Sequence, residues 1–168
     1  KTVPESQDFY NNFFNINNNI ISGNALNAIY FYQFSFDGVP IYGNLYSITN
    51  NSINGNGLNG IYFWRRKYRP STNENFNISG NSISGNGQNG IYYNHFMVGG
   101  SRETLNFTAN LLTNNSGSGI SIEGITHIAD IFIQKNINFL TQKINDMATK
   151  KTGSAGNKTF HIIFLFFQ

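Results

Sequence analysis

Cysteine is absent from the 168 residues, so neither a disulfide framework nor a thiolate metal site can form, and the redox compartment stays open. Charge is scarce: 11 Lys and Arg stand against 8 Asp and Glu, a net of +3. That balance excludes a globally basic nucleic-acid binder; the one dense positive spot is Arg65, Arg66, Lys67 and Arg69. Long apolar runs are missing too. The longest, "FHIIFLFF" at 160–167, is too short to span a bilayer, so no membrane span is expected. The serine-hydrolase elbow G-x-S-x-G does not occur. An initiator Met and an apolar leader are also lacking ahead of Lys1, which reads as a fragment or a processed product.

What is present is repetition. "NSINGNGLNGIYF" at 51–63 returns as "NSISGNGQNGIYY" at 81–93, with relatives "NIISGNALNAIYF" at 19–31 and "NLLTNNSGSGISI" at 110–122. Ile29, Ile61, Ile91 and Ile120 correspond, with steps of 32, 30 and 29. The same steps link Ile21, Ile53, Ile83 and Leu112, then Ile16, Ile48, Ile78 and Phe107, then Phe14, Tyr46, Phe76 and Leu105. A biased composition enriches asparagine but does not hold register, so these columns mark structural copies.

Within each copy apolar residues alternate, as strands do, and no helical period interrupts them. Glycines at 23, 55 and 85, and again at 60 and 90, predict positive-φ corners, with Asn114 in the first of these places in the fourth copy. Strands this short cannot bury a face alone, so the copies must stack. Two asparagine columns support the stacking: Asn19, Asn51, Asn81, Asn110 and Asn24, Asn56, Asn86, Asn115. At a strand spacing of about 4.8 Å, identical amides reach one another up the stack. Asparagine also serves as a plain turn residue, and the two roles are compatible.

The pattern N-x-I-x-G-N-G-x-N-G-I-Y resembles the repeat of right-handed parallel β-helix proteins, over roughly residues 14–122. That group includes pectate-lyase-like enzymes, copper-accessory β-helix proteins and adhesin-like surface proteins. The resemblance implies an all-β, right-handed parallel β-helix of about four coils. Copies longer than is common in that group predict loops at 32–44, 64–74 and 94–104. Residues 1–13 read as an N-terminal flank, 14–135 as the repeats, 136–151 as a helical cap, and 152–168 as a linker and apolar tail. The cap rests on Ile137, Leu140, Ile144 and Met147 at helical spacing, ahead of Lys150 and Lys151, which predicts a short helix over 137–150.

The chemistry in the repeat is thin. "GNGLNG" and "GNGQNG" match the dinucleotide fingerprint, but a strand pattern follows where that motif needs a helix, so they read as turns. Among the coils only Asp37, Glu74 and Glu103 are acidic. Glu74 and Glu103 each stand two residues before a core position, which makes them neighbours on adjacent coils. They are the catalytic candidates, with Arg102 or Arg69 as a positive partner; the competing and stronger reading is a pair neutralised by Arg102 or the 65–69 cluster. The carboxylate cluster on consecutive coils that the resemblance implies for a lyase is missing. His95 and Met97 offer a weak copper-like pair; no metal or cofactor is expected.

Alternation in "ISIE" (120–123) turns Ile120 and Ile122 inward, so Tyr30, Tyr62 and Tyr92 should stack outside, with Tyr32 and Trp64 beside them. With Arg65, Arg66 and Arg69 in the neighbouring loop, this face suits carbohydrate: rings meet pyranose C–H faces and amides meet hydroxyls. The competing reading has the loops fold back over the rings. The function expected is a non-catalytic scaffold of an extracellular or cell-surface protein that binds a polysaccharide or surface glycan, contiguous with further coils. The alternative is a fragment of a polysaccharide lyase, hydrolase or epimerase acting on an acidic polysaccharide. A plain stalk, with the tyrosine columns covered, is the third.

Overall fold

A computed structural model describes residues 9–35, 41–67, 72–97, 102–124, 130–138 and 162–165. Every strand pairing in it is parallel and joins residues about one repeat apart. The chain is an all-β parallel solenoid of about three turns, with the four aligned copies stacked one step apart. Three sheets make its walls. The first stacks Phe13–Asn17, Leu45–Thr49, Thr72–Ser79, Arg102–Thr108 and Asp130–Gln134. The second stacks Ile20–Ser22, Ser52–Asn54, Ser82–Ser84, Leu111–Thr113 and Ile137–Asn138. The third stacks Ile29–Ser35, Ile61–Lys67, Ile91–Met97 and Ile120–Glu123.

Alternation decides which residues enter the core. Ile53, Ile61, Phe63, Phe76, Ile78, Ile83, Ile91, Tyr93, Leu105 and Phe107 are fully enclosed, and each belongs to a column legible in the repeat. A buried aliphatic or aromatic side chain stabilises by about 1.5–3 kcal/mol, so three stacked coils supply the main driving force. Rings also stack from the exposed Phe14 into the core: Phe14, Tyr46 and Phe76 lie face to face, with centroids 5.0 and 4.4 Å apart.

The two glycine columns turn out to have different causes. Gly23, Gly55 and Gly85 take φ of +68°, +63° and +63°, and Asn114 takes +54° in the same place, as expected. Gly60 and Gly90 do not have positive φ. They are glycine for space: a Cβ on Gly90 would stand 2.7 Å from the Gly119 carbonyl and 3.0 Å from the Asn115 amide. A second left-handed corner, Asn18, Asn50, Gly80, Ala109 and Lys135, joins the first sheet to the second and carries no constant residue type.

Two expectations need correction, and part of the tail is placed. Much of 32–44, 64–74 and 94–104 is strand, because the third-sheet strands run seven residues, to Ser35, Lys67 and Met97. The helix expected at 137–150 does not begin there: Ile137–Asn138 pairs with Leu111–Leu112, and 139–150 lies outside the described residues. The apolar tail contributes a strand, Ile162–Leu165, which pairs with Ile131–Gln134.

Candidate functional site

Two polar constructions stand out, one on the wall and one inside it. On the outside, the tyrosines stack as the alternation predicts. Tyr30 and Tyr62 have centroids 5.2 Å apart, Tyr62 and Tyr92 5.0 Å, and Tyr32 and Trp64 4.8 Å. Tyr30 is 55% exposed and Tyr32 59%, whereas Tyr62, Trp64 and Tyr92 are half-buried. Stacking has a consequence that the sequence pattern conceals. Each inner ring lies under its neighbours, so Tyr62 offers its edge and hydroxyl to solvent and not its face. Burial first, then Tyr30 and Glu123, raises the Tyr62 pKa, and Tyr92 is pushed up to about 12 by burial and by its bond to Glu123. Both phenols therefore keep their protons at neutral pH.

Beside this column runs an open groove of about 630 Å³, lined by Tyr62 and Tyr92, by the amides of Asn27, Asn59, Asn89 and Gln88, and by no charged side chain. The three asparagines form a ladder that the sequence reading overlooked. Asn59 donates its backbone N–H and Nδ2 to Asn27 Oδ1, both at 3.0 Å, and Asn89 does the same to Asn59 Oδ1 at 3.1 and 3.0 Å. The signal was available, since Asn27, Asn59 and Asn89 sit one repeat apart. Tyr92 OH donates to Glu123 Oε2 at 2.5 Å and accepts from Asn94 Nδ2 at 3.1 Å, which fixes one end of the groove.

Inside, the long third-sheet strand carries charge into the core. Alternation from Ile61 puts Arg65 and Lys67 on the inner face, 1% and 0% exposed, so neither belongs to a surface patch. Arg65 is thereby removed from the expected carbohydrate face. Arg66 does point outward, 5.2 Å over the Phe96 ring, while Arg69 lies outside the described residues. On the facing first sheet, Glu74 pairs in register with Glu103 as expected, and an irregularity before Glu103 coincides with a left-handed Asn73 (φ +58°). Arg102 opens its strand opposite Thr72.

The four ionisable side chains meet. Arg65 Nη1 donates to Glu103 Oε2 and to Tyr93 OH, each at 2.8 Å, and its Nε reaches Gln33 Oε1 at 2.7 Å. Arg65 Nη2 and Lys67 Nζ both bond Glu74 Oε2, and Lys67 Nζ also lies 3.3 Å from Glu103 Oε1. Asn44 Nδ2 donates to Glu74 Oε1 at 3.2 Å, and Tyr93 OH donates to Glu103 Oε2 at 3.1 Å. The guanidinium rests 4.5 Å above the Phe76 ring. His95, expected in a loop, is buried on the inner face with Nδ1 3.5 Å from Glu103 Oε2.

Protonation follows from this enclosure. Burial would lower the Arg65 pKa, but Glu103, Tyr93 and Tyr46 outweigh it and raise it, so the guanidinium is permanently charged. Lys67 goes the other way: burial and the neighbouring Arg65 lower it to about 6 against the opposing pull of Glu103. The carboxylates are 1% and 0% exposed, both bridged by Arg65 and both in reach of Lys67 Nζ. A polymer on the outer wall cannot touch them, and these partners, Arg65 and Lys67, come from the 65–69 stretch. Among the described residues no three His, Asp or Glu side chains are grouped to hold a metal ion, and no helix is long and apolar enough to cross a membrane. The G-x-G-x-x-G stretches lie in the turns between the second and third sheets.

No family model, curated protein or solved structure matches the chain.

Proposed function

We propose that the protein is a non-catalytic solenoid scaffold that binds a polysaccharide along its outer groove, in the setting of a secreted or cell-surface protein. The observation that carries this reading is the groove itself: phenols and amides repeat at the coil spacing along an open channel of about 630 Å³. A polymer with hydroxyls repeated along its length matches such a lining. The contacts are ring edges, hydroxyls and the Gln88 amide, since the faces of the inner rings are taken by stacking. An uncharged lining favours a neutral glycan over the acidic one considered from the sequence. Within the right-handed parallel β-helix group that the repeat resembles, this reading aligns the chain with adhesin-like members. Enclosure of Glu74 and Glu103 supports the non-catalytic side of it.

The test is a glycan array of neutral and uronic polymers, with product analysis on each hit, run on the wild type and on Tyr62→Ala/Tyr92→Ala. We expect retention of a neutral polymer with no new reducing or unsaturated ends, weakened at least about tenfold, or ~1.4 kcal/mol, in the double variant. Cleavage of any polymer overturns the non-catalytic reading. Binding that ignores the double substitution removes the groove from it.

A further inference from the structure

The first coil is exposed where its successors are sealed. Phe13 is 60% exposed, Phe14 42% and Ile20 81%, and Leu26 is 64% exposed. One coil on, Tyr46, in the column of Phe14, is 5% exposed. Further along the stack the inward side chains of Ile120–Glu123 and Asp130–Gln134 are covered: Ile120 2%, Ile122 6%, Ile131 8% and Ile133 8%. The strands Phe13–Asn17, Ile20–Ser22 and Ile29–Ser35 each pair on one side only among the described residues. Four aromatic columns, headed by Phe14, Tyr30, Phe31 and Tyr32, end here among the described residues, each head ring stacked on a ring of the next coil.

Hydrogen bonding gives this end a direction. Asn12, Asn19 and Asn24 each donate both backbone N–H and Nδ2 to the Oδ1 of the next coil's asparagine, at 2.9–3.2 Å. Their own Oδ1 atoms accept no hydrogen bond from the described residues. Asn27 has the opposite sense, its Oδ1 being the acceptor. The open edge therefore displays three acceptor columns and one donor column. Two such edges brought together about a twofold axis cannot pair off, because acceptors outnumber donors.

We propose that the first coil is a seat for one more parallel coil of the same asparagine repeat, continuous with this chain on the side of Phe13. That coil brings asparagine N–H and Nδ2 donors onto the Oδ1 atoms of Asn12, Asn19 and Asn24. It places rings or aliphatic side chains on Phe14, Phe31, Tyr30 and Tyr32, and it removes a sheet edge that would otherwise invite aggregation.

The test writes the chain's own first coil twice: residues 11–42 are duplicated ahead of Asn11, so that each inserted asparagine falls one repeat from its native equivalent. Hydrogen exchange of the strands at 13–17 and 29–35 should slow at least about tenfold against the wild type. The same insert carrying Asn12→Ala, Asn19→Ala and Asn24→Ala should give little protection. A synthetic peptide of residues 11–42 supplied in trans is the second arm, for the case in which the longer chain misfolds. Unchanged exchange in both arms overturns the proposal. So does light scattering that shows the wild type to be a dimer sealed through Phe13, Phe14 and Ile20.

Discussion

The amide ladders and the ionic cluster are two ways of keeping polar groups inside one solenoid, and they obey opposite rules. A primary amide carries donor and acceptor together, so identical residues stacked one coil apart satisfy each other. Asn51, Asn81 and Asn110 do this in a column that runs on to Asn136, each amide also reaching the carbonyl of a neighbouring strand at 2.8–2.9 Å. A carboxylate or guanidinium cannot stack on its own kind. Glu74 over Glu103 is tolerable only because Arg65 and Lys67 arrive from a different sheet. Amides can thus be repeated along the whole stack, whereas charge is confined to one place and one set of partners.

Breaking the cluster should have the largest effect. Arg65→Met leaves Glu74 and Glu103 buried side by side without their permanent cation, and removal of one partner from a buried ion pair costs roughly 3–5 kcal/mol. Urea unfolding followed by circular dichroism checks this. Replacing all four charges with apolar residues of similar volume (Arg65→Met, Lys67→Met, Glu74→Leu, Glu103→Leu) should restore or exceed wild-type stability, because no buried charge is left unmatched. If the single substitution is harmless, the cluster is solvated and the contrast with the ladders fails.

A ladder rung comes second. Asn86 is fully buried, accepts from Asn56 N–H at 3.1 Å and Nδ2 at 2.8 Å, and donates to Asn115 Oδ1 at 2.8 Å. Asn86→Ala strands those groups without water, at about 1–3 kcal/mol for each buried group left unsatisfied, offset where the coil relaxes. We expect a net loss on the order of 2–3 kcal/mol in the same unfolding measurement. Asn24→Ala, at the exposed head of that column, should cost well under 1 kcal/mol because solvent replaces the lost partner. Equal losses at the two positions would mean that the asparagines act as turn residues and not as a ladder.

The same contrast explains what the sequence disclosed. Columns that repeat were legible: the core at Ile61, Ile91 and Tyr93, the corners at Gly55 and Gly85, and two of the asparagine ladders. The outer tyrosine column followed from a single clue, the alternation at 120–123. The cluster was half legible. Register made Glu74 and Glu103 neighbours, but Arg65, Arg66, Lys67 and Arg69 looked like a surface run because charge is normally left in water. What placed Arg65 and Lys67 inside was two further turns of a period-2 pattern, unmarked by any apolar residue and preserved only by strand length. The first coil's excess apolar surface was hidden for the converse reason. Phe14, Ile16 and Ile21 fit their columns perfectly well, and nothing in a column shows where it stops.

A dependence on pH separates the two basic groups of the cluster, and its sign is fixed. Lys67 has a folded pKa of about 6 against its ordinary value near 10.5, so between those limits the unfolded chain holds a proton that the folded chain does not. Stability from this group is complete above the unfolded value and is lost as pH falls toward the folded one. It should therefore rise with pH on the alkaline side of neutrality, by on the order of 1 kcal/mol per pH unit at most. Tyr93 reverses the trend above about pH 10, because burial holds its phenol protonated only in the folded state. Arg65 adds no slope, being charged in both states throughout. Unfolding midpoints at pH 7, 8 and 9 should climb in the wild type and stay flat in Lys67→Met. A slope that survives the substitution would assign the titration to another group and leave Lys67 as charged as Arg65, which would make the cluster two salt bridges in place of one bridge and a neutral amine.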